Sequence, residues 1–517
     1  MALTLAAGVL YGLSFPPARL RLLAWIALVP FFVAIRRVGF ASALGLAWLW
    51  SVLAAWSVGD WMPEAIETYY LQPRWVGFVF FLLVATFMAA PYHVAFAAAY
   101  HRFTRHLTVW NPLLAAAAWA ATELGRGRLF TGTPLFIGNP WALLGYSQTG
   151  FLTLTQIADA AGIYGVSFVV AAANAGLAEA WLACSSRGLP RPKAWRALAL
   201  SLLPLAFALG YGSLRLLGFG VPRPIGDTVQ VGVVQGNVAV GSTWRPESYG
   251  ENLERYLRLT LSLVRDTRVE LVFWPETAMT FFVEREAGFR SEIGAVLSPF
   301  GTQLVAGGPR ASDPDGARYF NSVYVLSPEG ELRGRYDKEY LVPFGEYFPL
   351  RSIELLRRHF GRVREFEPGV AHAPLPTPAG LAGVLICNEA MLPEVAGERV
   401  AAGATYLLNP SNDSWVPNEK FSELQFDIVS LRAIEQRRYF VRASTSGPSA
   451  IVDPFGRILT RSRAFSEAAV PGAIAPIGDR SPYGQAGDLF GAVCAAIAAA
   501  ALWWRPWRPS LRRGRRS

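Results

Sequence analysis

Long stretches of this chain carry no charge, and that constrains the fold more than any motif does. Residues 41–58, 75–100, 107–122, 197–212 and 489–504 contain no Asp, Glu, Lys or Arg, and 163–184 contains only Glu179. Two shorter runs, 2–14 and 22–35, are equally uncharged and are punctuated by proline. A spanning helix needs about 20 mostly apolar residues, and a helix that is apolar all round has no solvent face to offer water. The expectation is a polytopic α-helical membrane bundle of about eight spans. The first run lacks a basic n-region and a small-residue cleavage site, so it reads as a span and not as a signal peptide. The whole chain is 52% hydrophobic and 17% charged, too apolar for a single soluble domain of this length.

Charge placement orients the bundle. The net charge of +10 comes largely from Arg36 and Arg37, Arg102 and Arg105, Arg187, Arg191, Lys193 and Arg196, and the arginines of the tail RPWRPSLRRGRRS. These lie in alternate connections, the pattern of Lys and Arg retained on the cytoplasmic side, and give no reason to expect nucleic-acid binding. The connection after the third run is acidic (Asp60, Glu64, Glu67) and falls outside. Residues 223–480 then form an extracytoplasmic domain, periplasmic in a Gram-negative cell, between a seven-span bundle over 1–222 and a last span over 484–505. The N-terminus and a basic tail over 506–517 are cytoplasmic. Arg126 and Arg128 sit on the outer side beside Glu123. They read either as a snorkelled helix end or as a phospholipid phosphate site.

Residues 223–480 change character. Apolar, β-branched runs such as TVQVGVVQGN, VELVFWPETAM, TQLVAGGPR, AGLAGVLICNEA and ATYLLNPSND alternate with helical patterns such as FSELQFDIVSLRAIEQ. SPEGEL and DPFGRI read as hairpin turns. Strand–helix alternation with continuous apolar strands predicts an α/β sandwich with buried sheets.

Three reactive side chains sit just past strands: Glu276 after LVFWP, Lys338 in RYDKEYLVPFGE, and Cys387 after GVLI. The chain has three cysteines, too few for a disulfide framework. Cys184 and Cys494 lie inside apolar runs, which leaves Cys387 as the one in the hydrophilic part. Singly, each group has an ordinary reading: a helix N-terminal charge, a surface ion pair, a buried core thiol. Together they meet the needs of covalent acyl transfer. A thiol needs a base, which Glu276 is placed to be. A tetrahedral oxyanion needs a positive donor, which Lys338 and the backbone N–H after the cysteine are placed to supply. His359 and His372 lie in loops with no Cys–His setting, and no metal-ligand spacing or phosphate-cradling glycine loop appears, so no cofactor or metal is expected.

The segments FWPETA, DKEYLVPFGEYFPL and ICNEA resemble the Glu–Lys–Cys segments of the nitrilase, or carbon–nitrogen hydrolase, superfamily. The whole layout, with VQGN, TELGRG, PWALLGYSQ, SNDSW and LRAIEQRR in order, is similar to the membrane-bound apolipoprotein N-acyltransferase family through nearly the whole chain. The resemblance implies a nitrilase-like αββα sandwich with Glu276 as general base, Lys338 as oxyanion donor and Cys387 as nucleophile. Glu346 matches a further active-site glutamate, Glu389 the glutamate two after the nucleophile, and Trp244, Trp415 and Ser411 positions near the site. The implied reaction moves an acyl chain from a phospholipid to Cys387 and then to the α-amine of a diacylglyceryl-cysteine apolipoprotein. Partners would be those two lipids and the bilayer, with a monomer as the default. Apolar lids are expected at Phe281 and Phe282, at Phe344, and over 347–362, where Ile353, Leu356 and Phe360 recur at helical spacing among arginines; an ordinary surface helix fits that last stretch equally well. The chain departs from the family where Asn388 replaces the usual Tyr after the nucleophile, and where Val-Pro follows SNDSW. These changes point to altered lipid handling with the oxyanion N–H retained. A membrane-anchored amidase and a catalytically impaired homologue are the competing readings.

Overall fold

The computed structural model describes residues 1–106, 108–129, 138–185, 189–220, 223–239, 246–312, 318–349, 365–370 and 373–503. Four helices are long and apolar enough to cross a membrane: Phe40–Gly59, Arg74–Phe103, Ala158–Cys184 and Arg191–Leu216. Helices Ala2–Leu13, Asn111–Arg128 and Leu489–Trp503 coincide with three further uncharged runs. The run over 22–35 differs from the expectation of a full span. It is split into a turn at Arg21–Leu23, a short helix Ala24–Ala27 and an eight-residue helix Val29–Arg36. Pro30 sits in the first turn of that last helix, where the missing N–H costs nothing. Every residue from Val29 to Ile35 is buried, so this segment packs inside the bundle.

Sequence also shapes the long helix Arg74–Phe103. Its interior contains a wider π turn at Ala85–Ala89, just before Pro91. A proline ring inside a helix clashes with the carbonyl four residues earlier, and one widened turn relieves the clash. Ala158–Cys184 is the central helix, with most of its residues buried, and it packs on Arg191–Leu216, Asn111–Arg128 and Leu489–Trp503.

Twelve strands form two six-stranded sheets among the described residues. They are β1 Val229–Gln235, β2 Leu271–Phe273, β3 Gln303–Ala311, β4 Tyr319–Leu326, β5 Leu332–Asp337, β6 Leu375–Thr377, β7 Gly380–Val384, β8 Tyr406–Ser411, β9 Phe440–Ser444, β10 Ala450–Val452, β11 Ile458–Arg461 and β12 Ala468–Ile474. One sheet runs β12-β1-β2-β3-β4-β5 and the other β11-β10-β9-β8-β7-β6. Each has a parallel centre, β1-β2-β3 and β7-β8-β9, with antiparallel flanks.

Strand alternation builds the layers. Leu271 and Phe273 face the space between the sheets, together with Val231, Val305, Val384, Tyr406 and Val441. Val272 points the other way, into a second core under helices Tyr249–Asp266 and Ala287–Leu297. A period of two makes both faces of these strands apolar because both are covered. The outer face of the second sheet is covered by helices Pro393–Ala401, Glu419–Ser430 and Arg432–Gln436, and their apolar residues belong to the same continuous core as the membrane bundle. The bundle is therefore seated on the sandwich through a shared apolar core.

Polar clamps fix the seating. Arg437 donates to Asp159 Oδ2 from Nη2 at 2.7 Å and from Nε at 3.0 Å, and Arg215 Nε lies 3.0 Å from the same oxygen. Lys420 Nζ reaches Asp60 at 2.7 Å, and Asn418, which caps helix Glu419–Ser430, also donates to Glu64 at 2.9 Å. Arg128 bridges Glu394 at 2.6 Å and Asp488 at 2.7 Å.

Candidate active site

The site forms where β2, β5, β7 and β8 end. The chain leaves β2 through Trp274 and Pro275 and presents Glu276; Thr277 after it has φ 56°. Gly307 on β3 lets the two backbones touch: a methyl group there would stand 2.7 Å from Glu276 Cα and 2.6 Å from the Pro275 oxygen. Beyond β5, Lys338 is held by its own N–H to the Asn321 carbonyl at 2.8 Å. Beyond β7, Cys387 opens a 3₁₀ turn Cys387–Met391 with φ 51°, a left-handed conformation that is costly for a residue with a side chain. Such strain persists only where the surroundings over-determine it. Here Asn409 donates to the carbonyls of Leu385 (2.6 Å) and Cys387 (3.1 Å), and is itself tied to the fully buried Arg442.

The three reactive groups converge with a fourth, Glu346. Lys338 Nζ lies 2.8 Å from Glu346 Oε2 and 3.7 Å from Glu276 Oε1. Asn321 Nδ2 donates to both carboxylates, at 2.6 Å to Glu276 and 2.8 Å to Glu346. The second oxygens of these groups accept backbone N–H bonds from Asn412 and Val342, each 2.8 Å. All four side chains are buried, so charge is screened by neighbours and hardly by water.

Burial raises the Glu276 carboxyl above the usual range, with Lys338 opposing and Glu346 adding to the rise. For Lys338, burial favours the neutral amine, but Glu346, Glu276 and Cys387 outweigh it and hold the ammonium charged. The Cys387 thiol is pushed up to about 12, first by burial and then by Glu276, with Lys338 and a hydrogen bond to Ser411 pulling the other way. Cys387 therefore rests as a thiol beside a carboxylate and a fixed cation. That set can take a proton, form an acyl–sulfur bond and hold an oxyanion.

Glu389 is buried at the site without lining the cavity. It accepts from Tyr336 Oη, the N–H groups of Glu339 and Tyr340, and the Ile386 N–H, at 2.7 to 3.1 Å. It ties the Lys338 segment to the Cys387 turn. Asn388 donates to the Tyr340 carbonyl at 3.1 Å and lines the cavity above the thiol. Ser411 donates to Asp413 at 2.8 Å, and Arg442 Nη2 holds both oxygens of Asp413 at 2.9 Å.

A cavity of about 640 Å³ opens above these groups. Its floor is Glu276, Lys338, Glu346, Cys387 and Asn388. Its far wall comes from the membrane bundle: Ile66 and Tyr69 from helix Met62–Tyr70, and Val76, Val79, Phe80 and Leu83 from helix Arg74–Phe103. Val79 and Leu83 also face outward, 47% and 50% exposed, so the cavity wall is continuous with the apolar outside of the bundle.

Several expected contacts fall elsewhere. Phe281 is not a lid. It is fully buried in the core under helices Tyr249–Asp266 and Ala287–Leu297, its ring 4.5 Å from Phe289. Phe282 packs against Tyr319 and Arg285 outside the cavity. Arg126 is buried and donates to the carbonyls of Trp141 (2.9 Å) and Ala142 (3.4 Å). Arg128 is engaged by Glu394 and Asp488, so its charge serves the domain seam and not a phosphate. Trp415 and Phe344 do line the cavity. Trp244, residues 350–362 of the stretch 347–362, His359 among them, and His372 lie outside the described residues.

Sequence reasoning missed Asn321, whose side-chain amide orders both carboxylates, Asn412, whose backbone N–H holds Glu276, and the helix Met62–Tyr70, which reads as an acidic outer loop. Its signal was the non-polar spacing: Trp61, Ala65 and Tyr69 recur every fourth residue, one face of a helix.

Comparison with known proteins matches both parts of the chain. A family model for the apolipoprotein N-acyltransferase N-terminal domain matches residues 7–176, and one for carbon-nitrogen hydrolase matches 230–476. An apolipoprotein N-acyltransferase of Geobacter metallireducens is 34% identical over 498 residues, 95% of this chain and 92% of its own. The chain belongs to the apolipoprotein N-acyltransferase family. Members from Azotobacter vinelandii and Pseudomonas putida are 32% and 31% identical, covering 93% of this chain and 90% and 92% of theirs. Asn388 lines the cavity beside Cys387, and aromatic residues of the bundle, Tyr69 and Phe80 among them, bound the same space.

Proposed function

We propose that this N-acyltransferase moves a fatty acyl chain from a membrane phospholipid to the α-amine of a diacylglyceryl-cysteine apolipoprotein, through a thioester on Cys387. One observation carries the reading: the Glu276–Lys338–Cys387 cluster floors a cavity whose opposite wall is made of membrane helices. A soluble amide substrate needs no such wall, which weighs against a membrane-anchored amidase.

Glu276 takes the thiol proton as sulfur attacks the ester carbonyl. Lys338 and the Asn388 N–H hold the oxyanion; the first turn after a strand leaves that N–H outside the turn's own bonding. The tetrahedral adduct collapses, the glycerol alkoxide leaves, and the Glu276 proton returns to it, releasing lysophospholipid. The acceptor amine then attacks the thioester, passes a proton to Glu276, and expels the sulfur, which regains its proton. A carboxylate raised by burial is a better base than an exposed one, and exclusion of water protects the thioester from hydrolysis. Glu346 holds Lys338 and Glu389 holds the Cys387 turn.

The eight apolar segments are read as the membrane part, the short second one packing inside the bundle, with 1–222 and 484–505 in the membrane and 223–480 outside the cytoplasm. The charge pattern of the loops supports that orientation.

Intact-mass spectrometry of the purified protein incubated with phospholipid and no acceptor tests the thioester. A gain of one acyl chain, sensitive to hydroxylamine and absent in Cys387→Ala, is expected. No adduct while Cys387 still reacts with a thiol probe would remove phospholipid as donor.

A further inference from the structure

Around the cavity, most polar side chains are already committed. The amide of Asn321 serves Glu276 and Glu346, that of Asn388 serves the Tyr340 carbonyl, and that of Asn412 serves Thr277 Oγ1 at 3.0 Å. Lys338 is held by two carboxylates. On the bundle side, the Tyr70 hydroxyl donates to the Phe344 carbonyl at 2.6 Å, which pins helix Met62–Tyr70 to the loop carrying Glu346. Tyr69 is different. It lines the cavity, its ring stands edge-on to Trp415 at 6.3 Å, and its hydroxyl has no hydrogen-bond partner among the described residues. Burial and the nearby Glu346 and Glu276 push the phenol up to about 12, so it keeps its proton and acts as a donor.

Its position says what it would meet. Tyr69 follows Ile66 by three residues on one helix face, so it stands where the apolar wall gives way to the charged floor. A lipid with its chain against Val79 and Leu83 and its carbonyl carbon at Cys387 must pass its ester linkage across that boundary. A glycerol ester carries acceptor oxygens and no donor, and an uncommitted hydroxyl is the complementary group.

We propose that Tyr69, contributed by the membrane bundle, is a substrate-binding residue that donates a hydrogen bond to an ester oxygen of the glycerolipid at the site. The inference rests on the acyl-transfer reading above. The same ester chemistry is present in the phospholipid donor and in the diacylglyceryl acceptor, and the two half-reactions separate them.

The test is Tyr69→Phe, which keeps the ring and its contact with Trp415. Full-length enzyme in phosphatidylethanolamine vesicles is followed by intact mass for thioester formation. Acylation by p-nitrophenyl butyrate, which has no glycerol, is the internal reference. The preformed acyl-enzyme is then chased with a diacylglyceryl-cysteine peptide. The phospholipid-to-p-nitrophenyl rate ratio is expected to fall about fivefold, the worth of one neutral hydrogen bond; a fall confined to the chase places the bond on the acceptor instead and supports the proposal in that form. Equal loss with all three substrates, or no change in any, overturns it. Wild-type enzyme that forms no thioester at all would instead remove the reaction on which the inference rests, a distinct outcome.

Discussion

At the scale of residues, the site is a problem of protons in a dry place. The Cys387 thiol is pushed up to about 12 by burial and then by Glu276. Below that value the thiolate fraction rises tenfold per pH unit, so alkylation by iodoacetamide in the absence of lipid is expected to climb steadily from pH 7 to 10. An ordinary thiol would level off near pH 8.5. Glu276→Gln removes a negative neighbour and should shift that climb to lower pH while abolishing acyl transfer. Stopped-flow alkylation alongside the transfer assay checks the opposite signs; a variant in which both rates collapse would show that the carboxylate holds structure, not the proton.

Among elements, the site depends on how closely strands approach. Gly307 is the point where β3 touches the segment carrying Glu276. A Gly307→Ala methyl has to push backbone, which gives less readily than a side chain, and overpacking of this kind costs about 1–3 kcal/mol. The expected result is a lower thermal midpoint together with at least a tenfold loss of transfer, because Glu276 moves with the strand. An unchanged rate at a lowered midpoint would mean the carboxylate is held by Asn321 and Asn412 alone. The same scale explains what was legible in sequence. The strands before Glu276 and Cys387 announced themselves as apolar runs, and a polar residue past such a run lies at a sheet rim, whereas β5 before Lys338 reads LRGRYD and carries no such signal. Phe281 was misjudged because FF after a strand reads equally as lid or core. Only the helix Ala287–Leu297 packing against it decides for core.

For the whole molecule, the bundle and the sandwich share one apolar core, clamped by buried ions. Asp159 holds Arg437 and Arg215 at the seam. Asp159→Ala strands a buried guanidinium, a change that costs about 3–5 kcal/mol; thermal unfolding in detergent should drop by several degrees and transfer activity with it. Additive, small effects from Asp159→Ala and Arg437→Met in a double-mutant cycle would show that the two groups do not act as a pair. Orientation is tested with Cys184, an exposed free cysteine at the end of its helix. In spheroplasts a membrane-impermeant maleimide is expected to spare Cys184 and to label a cysteine placed at the exposed Glu331. The reverse pattern would invert the proposed topology.

The sequence by itself determined the membrane runs, the charge asymmetry of their connections, the strand–helix alternation and the three reactive groups at strand ends. All of these are local: hydropathy, period and neighbouring residues suffice to see them. What only the tertiary structure decided is who stands opposite whom. Asn321 meets Glu276 from 45 residues away along the chain and Asn412 meets it from 136, and Tyr69 comes from the bundle. Arg126 and Arg128, read from sequence either as a snorkelled helix end or as a lipid phosphate site, turn inward to carbonyls and carboxylates. Pairing across such distances follows from how two layers dock, and a linear pattern carries no record of the partner a side chain will meet.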